Sequence, residues 1–227
     1  MKIADIYKSK TTPIVSICIA ALCIIVTGIY FIVPKYYNAL SFSLPIQYPW
    51  QFISGLFLHG SPNLPLLGSI GHLLFNLILV LPFGIMVEKI IGSRKFLILS
   101  LFLWLINLIL FYVIAFVMTP KGETAHGAGI SGIAFAYGAI GFCALLQLIQ
   151  MTKKGVLRQV SFYLLMNLIL DMLLMINPFV AGVPSMLIHI AAVIAGVVYW
   201  IIERREIDNF LRKLQSQSGQ NPCAPSV

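Results

Sequence analysis

Residues 96–119 read FLILSLFLWLINLILFYVIAFVMT. That is 24 residues without a single charged side chain. An uncharged apolar run of about 18 residues or more is long enough to cross a bilayer as a helix. The stretch therefore reads as a membrane span, and it sets how the rest of the chain is read.

Outward from it, five more long apolar runs appear, at residues 13–33, 71–91, 129–150, 159–177 and 184–202, charged only at Glu88, Lys89 and Asp171. The last two belong to one long apolar block. Asn177-Pro178 and Gly182-Val183-Pro184 divide it, because proline cannot continue a helix and glycine supplies a turn. The composition agrees: 59% of the chain is hydrophobic and 10% charged, whereas a soluble domain carries about a quarter charged residues. The expected fold is all-α, a polytopic bundle of six transmembrane helices. It comprises a short N-terminal segment (1–12), the membrane domain (13–202) with a long loop at 34–70, and a tail (203–227). The first run, at 21 residues, is longer than a signal-peptide core and lacks a small-x-small cleavage site, so it reads as a retained helix. The tail opens with a charged, weakly amphipathic stretch and closes on a Ser/Gln/Pro piece expected to be disordered.

The net charge of +8 does not point to nucleic acid, because its carriers sit at the ends of apolar runs. With the N-terminus inside, thirteen Lys and Arg residues fall on the inner side and two, Lys35 and Lys121, on the outer. This bias predicts cytoplasmic termini, and the small size without extra domains fits a microbial cell membrane. A seventh crossing within 34–70 would put Arg94 and Lys95 outside. The segment therefore reads as an outer loop dipping into the interface, anchored by Tyr36, Tyr37, Tyr48, Trp50, Phe52 and Phe57. Cys18, Cys23, Cys143 and Cys223 form no disulfide framework and read as small packing residues.

Polar residues inside spans need a reason. His72 and Asn76 lie on the second span, Ser131 opens the fourth, and His189 lies on the sixth. His72, Ser131 and His189 are 16, 16 and 14 residues from Glu88, Gln147 and Glu203 at the inner ends of their helices. At about 1.5 Å per residue all three share one layer below the outer surface. Ser131, Ala134, Gly138 and Gly141 form a small face, as do His189, Ala192 and Gly196. Such faces allow close helix contact, and a hydroxyl within reach of an imidazole is a base-activated nucleophile. Ser131 also stands at an expected helix start, in Gly129-Ile130-Ser131-Gly132, where free N–H groups favour a developing anion. His72 and Asn76 are candidate donors to the same oxyanion.

These motifs resemble the rhomboid intramembrane proteases. The resemblance rests on Gly71-His72-Leu73-Leu74-Phe75-Asn76, then Phe83-Gly84, Glu88, Gly92-Ser93-Arg94-Lys95-Phe96, Gly129-Ile130-Ser131-Gly132, and His189 with Gly196. It covers roughly residues 50–200. It implies a six-helix bundle with a water-filled cavity open to the outer face. In it Ser131 is the nucleophile and His189 the general base, without an acidic third member. His72, Asn76 and the Ser131 backbone N–H are the implied oxyanion donors. The implied substrates are single-span membrane proteins cut near the outer surface, and the partners are those proteins and membrane lipids. No cofactor, metal or nucleic acid is called for. The sequence departs from the family pattern in four places. Trp50-Gln51 replaces Trp-Arg, the interval from His59 to His72 is longer, Ala192 stands in place of glycine, and Phe135 stands where a tyrosine is common. Phe135 can still stack on the imidazole, and together with Asp171 it is a candidate substrate or gate residue.

Asp171, mid-span on the fifth helix and one turn from Asn167, reads as a hydrogen-bonded packing residue or as a gate or substrate contact, since that helix borders substrate entry in the family. Glu88 reads as a helix-end residue pairing with Arg94 or Lys95. His59 and His126, in outer loops, read as structural or solvent-facing. Two rival classes are a non-cutting relative and a transporter using Asp171, Asn167 and Asn107. Such a relative usually lacks the serine or the histidine; the transporter reading lacks an internal repeat and a second intramembrane acid.

Overall fold

The computed structural model describes residues 3–9, 11–151, 165, 169 and 178–219. Most of the expected fifth span, with Asn167 and Asp171, and the end of the tail, with Cys223, lie outside the described residues. Among those described, five helices are long and apolar enough to cross a membrane. The chain is an all-α polytopic membrane protein.

The elements run α1 (Ile3–Tyr7), α2 (Ile14–Ile32), α3 (Tyr37–Leu40), β1 (Phe42–Leu44), α4 (Gln51–Phe57), α5 (Leu66–Leu79), α6 (Ile85–Ile91), α7 (Ser93–Met118), β2 (Ala125–Gly127), α8 (Ser131–Met151) and α9 (Pro178–Gly219). α5 and α6 form one span, joined by a π-helical turn, Val80–Gly84, that contains Pro82. Proline has no N–H and its ring crowds the preceding turn, so the wider π turn lets the helix pass it unbroken.

Helix α8 is the hub. In its most apolar 18-residue window 83% of residues are buried, against 17% for α7, whose Leu101, Phe102, Ile109 and Phe116 face outward. Its small residues make this possible. A Cβ on Gly196 of α9 would lie 2.5 Å from the Ala136 carbonyl oxygen of α8, so α9 reaches the α8 backbone only because Gly196 has no side chain. Gly141, expected on the same face as Ser131, instead abuts Phe83 and Met86 of the second span. Gly182, at φ 74°, kinks α9 where the sequence breaks. Pro184 sits in the first turn beyond, where a missing N–H leaves no bond unmade.

Three expectations change in detail. The second span starts at Leu66, so the outer loop is shorter than 34–70. The last helix runs on to Gly219, because Ile207 and Leu211 are buried and the charged stretch after Glu203 thus continues the span. Glu88 does not pair with Arg94 or Lys95. It is fully buried and its carboxylate accepts hydrogen bonds from Val15 N (3.0 Å), Ser16 N (2.8 Å) and Ser16 Oγ (2.7 Å). The first turn of α2 has free N–H groups that a carboxylate satisfies better than water-exposed cations would satisfy the carboxylate. Lys95 meets Glu203 and Glu206 of α9 instead.

The loop after α2 is tied down by Gln51. Its Oε1 accepts from Ser43 Oγ (2.8 Å), Gln47 N (3.1 Å) and Tyr48 N (3.0 Å), and its Nε2 donates to Asn38 O (2.6 Å). One buried amide thus holds both ends of the loop. β1 pairs antiparallel with β2, Ser43 opposite His126, and fastens this loop to the segment before α8.

Candidate active site

Ser131 is the first residue of α8, and His189 lies on α9 about two turns past the kink at Gly182. His189 Nε2 and Ser131 Oγ are 2.8 Å apart. The contact is set by the Gly196 approach two turns further down, which draws α9 onto α8 and brings the imidazole level with the helix start. His189 is buried, with 3% exposure, and Phe135 stacks obliquely on its ring at 4.5 Å between centroids. Phe135 follows Ser131 by four residues and so lies beneath the hydroxyl on the same face. Serine, imidazole and aromatic support therefore come together. With its proton on Nδ1, the imidazole is positioned to accept the hydroxyl proton through Nε2.

Beside the pair is a cavity of about 130 Å³, lined among others by Asn107, Phe111, Gly129, Ser131, Gly132 and His189. Neither His72 nor Asn76 is among its lining residues. The His72 ring instead lies against Gly129: a Cβ there would be 3.2 Å from His72 Nε2. Gly129 has φ 116°, a conformation that side chains resist, so the backbone twist favours glycine, and the imidazole would have to shift by a few tenths of an ångström for any side chain. Asn76, one turn deeper, is buried. Its Nδ2 donates to His72 O at 2.8 Å, and its Oδ1 has no hydrogen-bond partner among the described residues.

Of the two readings given for it, structural or solvent-facing, His59 has the first. It is fully buried behind this loop. Its Nδ1–H donates to Phe57 O at 3.0 Å, its backbone N–H donates to Thr27 Oγ1 at 2.9 Å, and its Nε2 receives the Ile130 N–H across a long 3.4 Å. Its ring meets His72 edge to face at 5.1 Å. Burial pushes the His59 imidazole down to about 3, and the neighbouring His72 adds to this against the bond to Phe57 O. His59 is therefore neutral at ordinary pH, which leaves Nε2 free to accept. A further bond, Gly129 N to Gly55 O at 2.8 Å, holds the same segment. Nothing in Leu58-His59-Gly60 announces this burial. His126 pairs with Ser41 (Nδ1 to Oγ, 3.0 Å), and partial burial holds it below the ordinary histidine range.

A family model described as the rhomboid domain matches residues 47–206. No protein in the curated set matches the chain. The match covers more than half of the chain, including His59, His72, Asn76, Ser131, Phe135 and His189, so the chain belongs to the rhomboid family of intramembrane serine proteases.

Proposed function

We propose that this member of the rhomboid family is an endopeptidase that uses Ser131 and His189 to cut single-span membrane proteins near the outer membrane face. The observation that carries the proposal is the 2.8 Å contact between His189 Nε2 and Ser131 Oγ inside an apolar bundle. As Ser131 Oγ bonds to the scissile carbonyl carbon, its proton passes to His189 Nε2. The carbonyl oxygen becomes an oxyanion at the N-terminal end of α8, where backbone N–H groups and the helix dipole favour negative charge. The Ser131 N–H, the His72 ring and the second Nδ2 hydrogen of Asn76 are the proposed donors. Collapse of the intermediate breaks the C–N bond, and the leaving amine takes the proton from His189. Water then attacks the acyl-serine with His189 again as base, releasing the new carboxyl end and restoring the hydroxyl.

The orientation proposed is that read from the charges, with both termini inside and Ser131 and His189 nearer the outer face; the membrane proposed is a cell membrane. Phe135 and the close contact between α8 and α9 hold the imidazole against Ser131. Asp171 is proposed as a gate or substrate contact, and Asp171→Asn that leaves both cleavage and stability unchanged would end that idea.

The test is reconstitution with a generic single-span substrate. The wild type releases two fragments, and Ser131→Ala releases none above background. Equal cleavage by the mutant would remove Ser131 from the mechanism.

A further inference from the structure

Asn107 is a polar side chain of the cavity to which the reaction above assigns no task. It lies on α7 four residues before Phe111, so both side chains project from one face of the third span. Both line the cavity that holds Ser131 and His189. The Asn107 amide is oriented, because Nδ2 donates to Leu103 O at 2.7 Å. Its Oδ1 thereby turns towards Gly132, where an added methyl group would overlap it. Gly132 follows Ser131 directly. A fixed hydrogen-bond acceptor thus stands in the cavity wall beside the proposed nucleophile. Around it the wall combines the apolar Phe42, Phe111, Pro184 and Ile188 with two further polar side chains, His126 and Ser185, and the space is only about 130 Å³.

We infer that Asn107 is a specificity-determining residue. Its Oδ1 accepts a hydrogen bond from a small, donor-bearing side chain, such as serine or cysteine, on the substrate residue that contributes the scissile carbonyl. The inference rests on the reading of Ser131 as nucleophile. For attack, the carbonyl carbon must come within about 3–3.5 Å of Ser131 Oγ. The Cα one bond away carries the side chain nearest to the cavity. The small volume excludes bulky side chains. Among small ones, alanine would seal Oδ1 from water without a partner, whereas a hydroxyl or thiol would pair with it. A site built around an acceptor disfavours the ligand that leaves it unpaired.

The experiment uses the full chain in liposomes and single-span substrates that are identical except for alanine, serine, cysteine or leucine at that residue. The wild type is expected to show kcat/KM for serine about 3- to 10-fold above alanine, with leucine the poorest. Asn107→Leu, close in shape but without the acceptor, brings the serine-to-alanine ratio to about one, whatever the change in absolute rate, and Asn107→Ala serves as the second variant. A structural role alone would lower all substrates together and leave that ratio unchanged. A wild type with no preference for serine over alanine overturns the inference without reference to any variant, and so does an unchanged ratio in the variants. Failure of the wild type to cut any substrate overturns the proteolytic reading itself and, with it, this one.

Discussion

Ser131 and His189 are 58 residues apart in the chain, and each is unremarkable alone. A serine opening an apolar helix is a common cap, and a histidine in a span is often a packing group. Their residue types, shared depth and small neighbours were legible in the sequence. The oblique stacking of Phe135 was also foreseen as open to phenylalanine. The burial of His59 was not, since the residue stands in a loop and acquires its partners Phe57, Thr27 and Ile130 only when three separate segments meet. Two predictions belong here. His189→Ala should lower cleavage by about 10² to 10⁴-fold, the range typical of a lost general base, with binding of an uncleaved substrate retained; substrate cross-linking and product release measure the two. The second concerns pH. His59 is depressed from the ordinary histidine value to about 3, so the unfolded chain takes up its proton before the folded one does. Its contribution to stability is complete above about pH 6.5 and is lost progressively as pH falls towards 3. Thermal unfolding in detergent should therefore show a steeper loss between pH 6.5 and 4 for the wild type than for His59→Gln. Equal slopes would contradict this.

At the scale of elements, the small-residue faces were readable as a capacity for contact but not as an assignment of partners. Gly196 does lie on α8, against Ala136, while Gly141 turns to Phe83 and Met86. The reason is geometric: a helix buried on nearly all sides has small residues facing several neighbours, and one sequence periodicity cannot say which neighbour each one meets. The π turn around Pro82 and the early start of the second span were hidden for the same reason, since tertiary packing selects them. Gly196→Val should displace α9 from α8, because even its Cβ would meet the Ala136 carbonyl oxygen at 2.5 Å. The expected result is cleavage reduced at least tenfold, since a shift of about 1 Å in reacting groups can cost 10²-fold. The loop offers a second case. Gln51→Ala removes four hydrogen bonds that converge on one buried amide and should destabilise the loop by about 1–3 kcal/mol. Faster proteolysis within 38–51 and a lower midpoint of thermal unfolding would register it.

For the whole molecule, the charge distribution and the apolar runs carried most of the information. The class of fold and the order of spans followed from them directly. What they could not convey is how the helix ends around Glu88, Lys89 and Lys95 are fastened. Glu88 holds the start of α2, Lys89 Nζ donates to Ser9 O (2.9 Å) and Thr11 O (2.7 Å), and Lys95 meets Glu203 and Glu206. Lys89 and Lys95, which count among the charges from which the proposed orientation was read, are ties between segments as well. The proposed orientation makes a direct prediction. A cysteine placed at Lys121 should react with an impermeant maleimide in intact cells, and one placed at Ser216 only after permeabilisation. The reverse pattern would invert the topology.

The central claim, that His189 activates Ser131, is tested most directly by covalent labelling. The purified protein is treated with a fluorophosphonate and the modified peptide is mapped by mass spectrometry. The account predicts one adduct, on Ser131 Oγ, formed by the wild type and lost in both Ser131→Ala and His189→Ala. Labelling of a different residue, or undiminished labelling of Ser131 in His189→Ala, would contradict it.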